Sequence, residues 1–512
     1  MKKKFSKALL VSVEILTICL LTRCGFSDRT IQESTQQSQS DFTVTPTSNQ
    51  TYSEPSISLS PVEAFDCTRF VAINGNDRDS GTENEPWGSF QYAAEVATPG
   101  DVICFREGIY ETQDIHISKS GEPNTLITLA AYPGEHPILD GGGTASELLV
   151  LEIGVSNIRI SGFGIRNFRI WGIFLTGENH NVYLDHITIE GGEAGIRFTY
   201  GESSEGPALG GLVENIVIED SIISGSLYSA VDCTPGPCNY VNLRHLEVYN
   251  TGLTGESFYG SDGIEFARGH HIVVEDCYVH DNGGDGIDLG SRDREGYMEG
   301  IIVRRNRVVR NHLNGIKVWA GGRIENNLLW GQGNSAIWSG TFNSTIEIIH
   351  NTVAYNMWDG RFSERNWAVV VGYPEELSKP EVQLTMFNNI FAFNADPLEG
   401  GPTGVYLGPG VKINEGHNLY FSNPEEEITV EVAEGIGFSR QDIQEGNWSD
   451  YANQGEGDLA QDPLFVSGWP NVDLNLNSNS PVINAGTSDH ATKVDVLFIS
   501  RDDMPDLGAI EH

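Results

Sequence analysis

A repeated pair of residues constrains this chain more than anything else in it. A small residue followed by Ile or Val opens nine short segments: Gly172-Ile173, Gly195-Ile196, Ala230-Val231, Gly263-Ile264, Gly286-Ile287, Gly315-Ile316, Ala336-Ile337, Ala368-Val369 and Gly404-Val405. Successive pairs are 21 to 36 residues apart. Between them runs a second series, a polar residue two before an apolar one: Asp185, Asp220, Arg244, Asp276, Asn306, Asn326, Asn351 and Asn388. The two series alternate without exception from Gly172 to Gly404. Two alternating signals at a loose period mean stacked coils, with loops of variable length between their strands. The apolar spacing is two, which excludes helical solenoids. A β-propeller blade needs about 40–45 residues, more than these coils have. The parallel β-helix remains, with apolar residues inward, polar residues outward, and Asn at a repeated turn able to ladder along the stack.

The ends of the chain differ from this middle. Residues 1–24 read as an export signal: Lys2, Lys3, Lys4 and Lys7, then a mostly apolar run from Ala8 to Leu21 that is too short for a membrane span. Leu21-Thr22-Arg23-Cys24-Gly25 resembles a bacterial lipoprotein processing site, with Cys24 as the lipidated residue. Residues 25–65, rich in Ser, Thr, Gln and Pro, read as a disordered tether. The β-helix is expected over 66–430 and its C-terminal end and cap over 431–512. Phe90, Ala93, Ala94 and Ala97 mark one face of a helix over Ser89–Ala97, which suggests a cap over the open end of the stack. An oxidising compartment would permit disulfides. Cys233 and Cys238 close a Pro/Gly turn, Cys67 and Cys104 are a second candidate pair, and Cys277 reads as core.

If the Gly/Ala-Ile/Val pairs are in register, the residue after each Ile or Val forms an outward column: Arg197, Asp232, Glu265, Asp288, Lys317, Trp338. The residue before each pair forms another, which includes Asp262, Asp285 and Asn314. Carboxylates then gather on neighbouring coils with one Lys beside them. Ca²⁺ takes six to eight oxygens in irregular geometry and suits such a cluster. Trp319, Trp330, Trp338, Trp358 and Trp367 follow closely, and those facing outward could stack on sugar rings. His270-His271 reads as a turn between strands. The net charge is −40, with no basic patch of the density that nucleic acid requires. From Asp262 to Arg323, however, nine Lys/Arg nearly balance ten Asp/Glu. Arg304 and Arg307, in that stretch, are candidate ligands for an acidic polysaccharide.

Phe70-Val71-Ala72-Ile73-Asn74-Gly75-Asn76-Asp77, Pro99-Gly100-Asp101-Val102-Ile103 and Ala131-Tyr132-Pro133-Gly134-Glu135 resemble the opening of right-handed parallel β-helix proteins of the pectate-lyase-like superfamily. Asp462-Pro463-Leu464-Phe465 and Asp506-Leu507-Gly508-Ala509 resemble its closing segment. Within it, Asp262-Gly263, Asp285-Gly286-Ile287-Asp288 and Asn314-Gly315-Ile316-Lys317 are similar to the motifs of polysaccharide lyase family 9 on three consecutive coils. The resemblance implies that Asp262, Asp285 and Asp288 hold Ca²⁺ and that Lys317 is the base of a β-elimination on a uronic-acid polymer, pectate foremost. Gly284 stands where that pattern has a further Asp, and Glu265, Asp281 or a water is expected to fill its place.

The implied protein is a monomeric, secreted or lipid-anchored polysaccharide lyase at the cell surface. Its partner is an acidic polysaccharide, and it meets the membrane only through the N-terminal anchor. A non-catalytic carbohydrate-binding or surface β-helix is the rival of a different class. A glycoside hydrolase would need acid–base carboxylate phrases that do not follow on the next coils. A uronate epimerase would need an Asp-Pro-His phrase that is not present.

Overall fold

The computed structural model describes residues 57–60, 64–199, 211–252, 261–290, 298–340, 343–356, 367–372, 381–394, 404–422, 428–452 and 456–512. The export signal, Cys24, most of the tether and Trp358 lie outside the described residues.

Each coil contributes three short strands, and like strands of successive coils pair in parallel. One face is a sheet that runs from Ile115–Ile117 to Ile428–Val432. The second and third faces are joined into one network because Val213–Ser224 and Cys238–Tyr249 run through the corner between them. The Gly/Ala-Ile/Val series is in register throughout the first face. Ile173 pairs with Ile196, then Val231, Ile264, Ile287, Ile316, Ile337, Val369 and Val405 in succession. All nine are buried. The small partner is dictated by crowding: a Cβ on Gly263 would lie 2.6 Å from the Gly286 carbonyl oxygen, and one on Gly315 2.6 Å from that of Ala336.

The polar series mixes three positions. Asp220, Asp276, Asn326 and Asn388 have positive φ and turn the corner between the second and third faces. Asn306 and Asn351 sit one residue further on and point inward. With Asn327, Asn389 and Asn418 they form a buried ladder in which each side chain accepts the N–H of the coil below. Asp185 and Arg244 sit one residue earlier, on the strand. A second ladder, Asn282, Asn311, Gln332, Asn356 and Asn394, closes the third face in the same way. The expected Asn ladder is therefore doubled, and its register differs by a residue from the simple series.

The N-terminal helix is Phe90–Val96, capped by the Ser89 hydroxyl, with Phe90 stacked on Phe105 at 4.6 Å. At the other end, Ile428–Val432 turns back antiparallel to Ile436–Ser439. Two short helices follow, Arg440–Gln444 and Asn447–Ala452, which the strand alternation does not foreshadow. Ser439 and Asp442 start the first with a reciprocal capping box. Trp448, fully buried, packs edge-on against Phe438. Disulfides join Cys67 to Cys104 and Cys233 to Cys238, and Cys277 is a buried free thiol.

Both terminal segments lie along the corner between the second and third faces. The Ser60 N–H donates to Asp220, His186 Nε2 meets the Ser60 carbonyl at 2.9 Å, and the Ile57 N–H donates to Glu247. From the opposite end, Ala485, Thr487 and Val494 offer carbonyls to His417, Asn388 and Asn326. Residues 57–60, which composition places in the tether, are thus bonded to the β-helix.

Asn327→Ala should remove the partner of the Asn306 backbone and side-chain amides and of the Val303 carbonyl. Leaving these buried groups bare should cost about 3 kcal/mol, read as a lower denaturation midpoint. Asn475→Ala, at an exposed site, should change stability by less than about 0.5 kcal/mol.

Candidate active site

Residues that follow the inward Ile or Val point outward and stack in the same register. Arg197 pairs with Asp232, Asp232 with Glu265, Glu265 with Asp288, Asp288 with Lys317 and Lys317 with Trp338. One carboxylate oxygen from each of Asp262, Asp285 and Asp288 lies within 4.8 Å of the other two. Lys317 Nζ is 3.1 Å from both Asp285 Oδ2 and Asp288 Oδ2. The strands thus bring together the Lys and three of the four carboxylates expected from the sequence.

Backbone bonds fix the cluster. Asp262 accepts the Asp285 N–H at 2.6 Å, and Asp285 Oδ1 accepts the backbone and side-chain N–H of Asn314, each at 2.7 Å. Trp319 Nε1–H donates to Asp288 Oδ1 at 2.8 Å, and its ring lies 4.6 Å from Lys317 Nζ. Trp319 was readable from period two, since it follows Lys317 by two residues and so shares its face. Glu265, on the coil of Asp262 and in register with Asp288, is outside the trio and accepts the Ser229 hydroxyl at 2.6 Å. Of the other tryptophans, Trp330 and Trp367 are buried, and Trp338 lies half-buried beside Lys317.

Three expectations need correction. Arg304 is on the second face, bonded to Glu275 at 2.7 Å, and Arg307 is on the third face over the Tyr278 ring. A coil turns its strands to different sides, so closeness in sequence does not bring these Arg residues to Lys317. Asp281 does not compensate for Gly284. Burial works against its charge, but His280 and Arg310 hold it and pull its carboxyl down to about 2. A Cβ at Gly284 would collide with Asp262 Oδ1 and lie 2.9 Å from the Ser261 carbonyl carbon, so an Asp there would require both Asp262 and the backbone beside it to shift.

Electrostatically the cluster lacks positive charge. Burial, then the charges of Asp285, Glu265 and Asp288, push the Asp262 carboxyl well above its usual range. Burial, then Asp232, pushes Glu265 up to about 8. Burial raises Asp288 to about 6, opposed by Lys317. Burial alone would lower the proton affinity of Lys317, but Asp288, Asp285 and Asp262 outweigh it, and the net shift is upward. The Asn314 Oδ1 is buried with no donor among the described residues. Three converging carboxylates and a bare amide oxygen are the hard donors that a cation such as Ca²⁺ takes, so the residues present fit it.

The comparisons agree with the architecture. A family model described as "Pel9A-like, right handed beta helix region" matches residues 69–218, and one described as "Right handed beta helix region" matches 171–353. The chain is a right-handed parallel β-helix protein, and residues 69–218 are similar to the Pel9A-like region. Asp262 to Lys317 fall inside the second match and beyond the first. Pectate lyase L of Dickeya dadantii (strain 3937) is 21% identical over 474 residues, 86% of this chain and 90% of that protein. An uncharacterized protein, YwoF, of Bacillus subtilis (strain 168) is 24% identical over 349 residues, 56% of this chain and 74% of that one. The solved pectate lyase Pel9A superposes with a TM-score of 0.48 at 15% identity, covering 88% of this chain and 98% of its own.

The raised carboxyls have a consequence for stability. Glu265 and Asp288 are protonated in the folded chain at pH values where the unfolded chain has released those protons. The unfolded state therefore binds fewer protons, and stability falls as pH rises. The window runs from about pH 4 to about 6 for Asp288 and on to about 8 for Glu265. With chelator present, the melting temperature should be lower at pH 8 than at pH 5, and Glu265→Gln should flatten the part between pH 6 and 8. Ca²⁺ should raise the melting temperature more at pH 8, because its ligands must be ionised.

Proposed function

We propose that this protein is a polysaccharide lyase that cleaves a uronic-acid polymer, pectate foremost, by β-elimination. The observation that carries the reading is the meeting of Lys317 Nζ with Asp285 and Asp288, which converge in turn with Asp262, where two columns of the first face adjoin. Asp262, Asp285 and Asp288 would hold Ca²⁺. A bound Ca²⁺ supplies positive charge that grips the uronate carboxylate and acidifies the proton on the adjacent ring carbon.

The rest falls to the chain. Lys317 now has two anionic partners, and these same groups would serve the cation. Once they are engaged elsewhere, the ammonium loses what stabilises it and its proton affinity falls. Lys317 then takes the ring proton. The C–H electron pair becomes the new double bond as the glycosidic C–O bond breaks, and the departing oxygen takes a proton from water. Trp319 holds Asp288 in place and covers one side of Nζ.

Polygalacturonate mixed with the protein should show rising ultraviolet absorbance from unsaturated uronate, dependent on Ca²⁺ and abolished by chelator. Lys317→Ala should lower kcat about 10³-fold, and because it leaves the buried Asp285 and Asp288 without their cation it should also lower the melting temperature in chelator, a loss that Ca²⁺ should partly restore. The base must be neutral, so the rate should climb with pH to an optimum above about 8. No rise on polygalacturonate, alginate or glycosaminoglycans, with glycan binding retained, would make the protein a non-catalytic binder. The N-terminal sequence fits delivery to the cell surface on a lipid anchor. Metabolic labelling with palmitate, lost in Cys24→Ala, tests that.

A further inference from the structure

On the other side of the β-helix the two terminal segments meet over a cavity of about 360 Å³. Its floor is an outward column of the third face, Tyr278, Arg307 and Leu328, stacked in register on three successive coils. Ile57 from the N-terminal segment and Val496, Leu497 and Phe498 from the C-terminal one give it apolar walls, with Ser58, His245 and the Asp276–Arg305 pair along the corner side. Such a volume suits a ligand of one or two rings.

The two guanidinium groups at the cavity differ. Arg305 is satisfied: it bonds Asp276 through Nε at 2.7 Å, reaches Glu275 at 2.7 Å and lies over the Phe498 ring. The Arg307 guanidinium stacks on Tyr278 at 4.4 Å and has no hydrogen bond or ion pair among the described residues. The nearby acids are engaged elsewhere, Asp276 by Arg305 and Glu247 by His280 and the Ile57 N–H. This chain has 71 acidic residues against 31 basic ones, so a carboxylate partner for Arg307 was within easy reach of its sequence. A half-buried guanidinium beside apolar walls is a poor place for a lone charge. It is a good place for the carboxylate of a ligand, which a guanidinium can hold with two parallel bonds.

We propose that this cavity is a second binding site, for a carboxylate carried on a six-membered ring. Arg307 grips the carboxylate, and Leu328, Leu497, Phe498 and Ile57 enclose the ring. An acidic sugar and an aromatic acid share this chemistry. The site does not depend on the lyase reading, since it shares no residue with the Lys317 cluster.

The test is calorimetric titration of the full chain with galacturonate and with benzoate, against galactose and benzamide as uncharged counterparts. At least one acid should bind, and its neutral counterpart at least tenfold more weakly. Arg307→Gln should weaken the acid at least tenfold with an unchanged melting curve. Leu497→Glu, at a side chain 56% exposed, should do the same by placing a carboxylate at the cavity mouth. Lys317→Ala and Arg304→Gln should leave this binding as it was. The proposal is overturned if neither acid binds, if neutral and acid bind alike, if Arg307→Gln has no effect, or if Lys317→Ala removes the binding. Galacturonate binding lost in Arg307→Gln would identify an accessory sugar site, and benzoate binding alone an aromatic-acid site.

Discussion

Everything in this molecule depends on parallel strands pairing without a slip. In a parallel ladder each residue lies over its counterpart one coil away, about 4.8 Å along the axis. A slip of one residue would turn the inward Ile column to solvent and the outward acids into the core. Two devices hold the register on this chain. The Gly residues before Ile leave no space for a Cβ against the next carbonyl. The Asn ladders tie each corner to the one above by side-chain-to-backbone bonds that only one alignment can make.

The same register forces a conflict on the outward face. Glu265, Asp288 and Lys317 are placed on adjacent coils by the Ile beneath them, not by their own preference. Apolar burial under the column is large enough to impose neighbours that like charges would refuse. Lys317 relieves part of the strain by bridging Asp285 and Asp288, and protonation relieves more at Glu265. An ammonium held by two carboxylates keeps its proton tightly, so Lys317 here serves as the counter-charge of Asp285 and Asp288. The proposed proton abstraction by Lys317 would therefore need a competing positive charge to draw Asp285 and Asp288 away from it.

The sequence disclosed the first face almost completely, because one residue type repeats at one position there and burial admits little else. Asp262, Asp285, Asp288 and Lys317 could be read from it for that reason. The polar series was harder. A corner residue with positive φ and a ladder residue sit side by side, and both positions favour Asn or Asp. Asn326 and Asn327 show the two roles in adjacent positions. Arg304 and Arg307 were misplaced for a different reason. Deciding which side of a coil a residue faces requires counting its three strands, and the strands here are only three residues long. The helices at Arg440–Gln444 and Asn447–Ala452 carried a local signal, the Ser439–Asp442 cap, too short to stand out from the turns around it.

A solenoid has two open ends and three faces, and this chain treats them unequally. The ends are closed by Phe90–Val96 and by the turn-back at Ile436 with Trp448 beneath it. Both terminal segments then run over the corner between the second and third faces, clasped by corner residues such as His186, Asp220, Asn326 and Asn388. Positive-φ corners tilt the backbone so that their side chains reach outward, and those side chains bond the passing strap. The first face has no such corners within its strands, and its outward column carries carboxylates, Lys317 and Trp338 instead. The division follows from backbone geometry: a corner offers hydrogen-bonding groups for the chain's own ends, whereas a flat sheet offers a straight row of side chains.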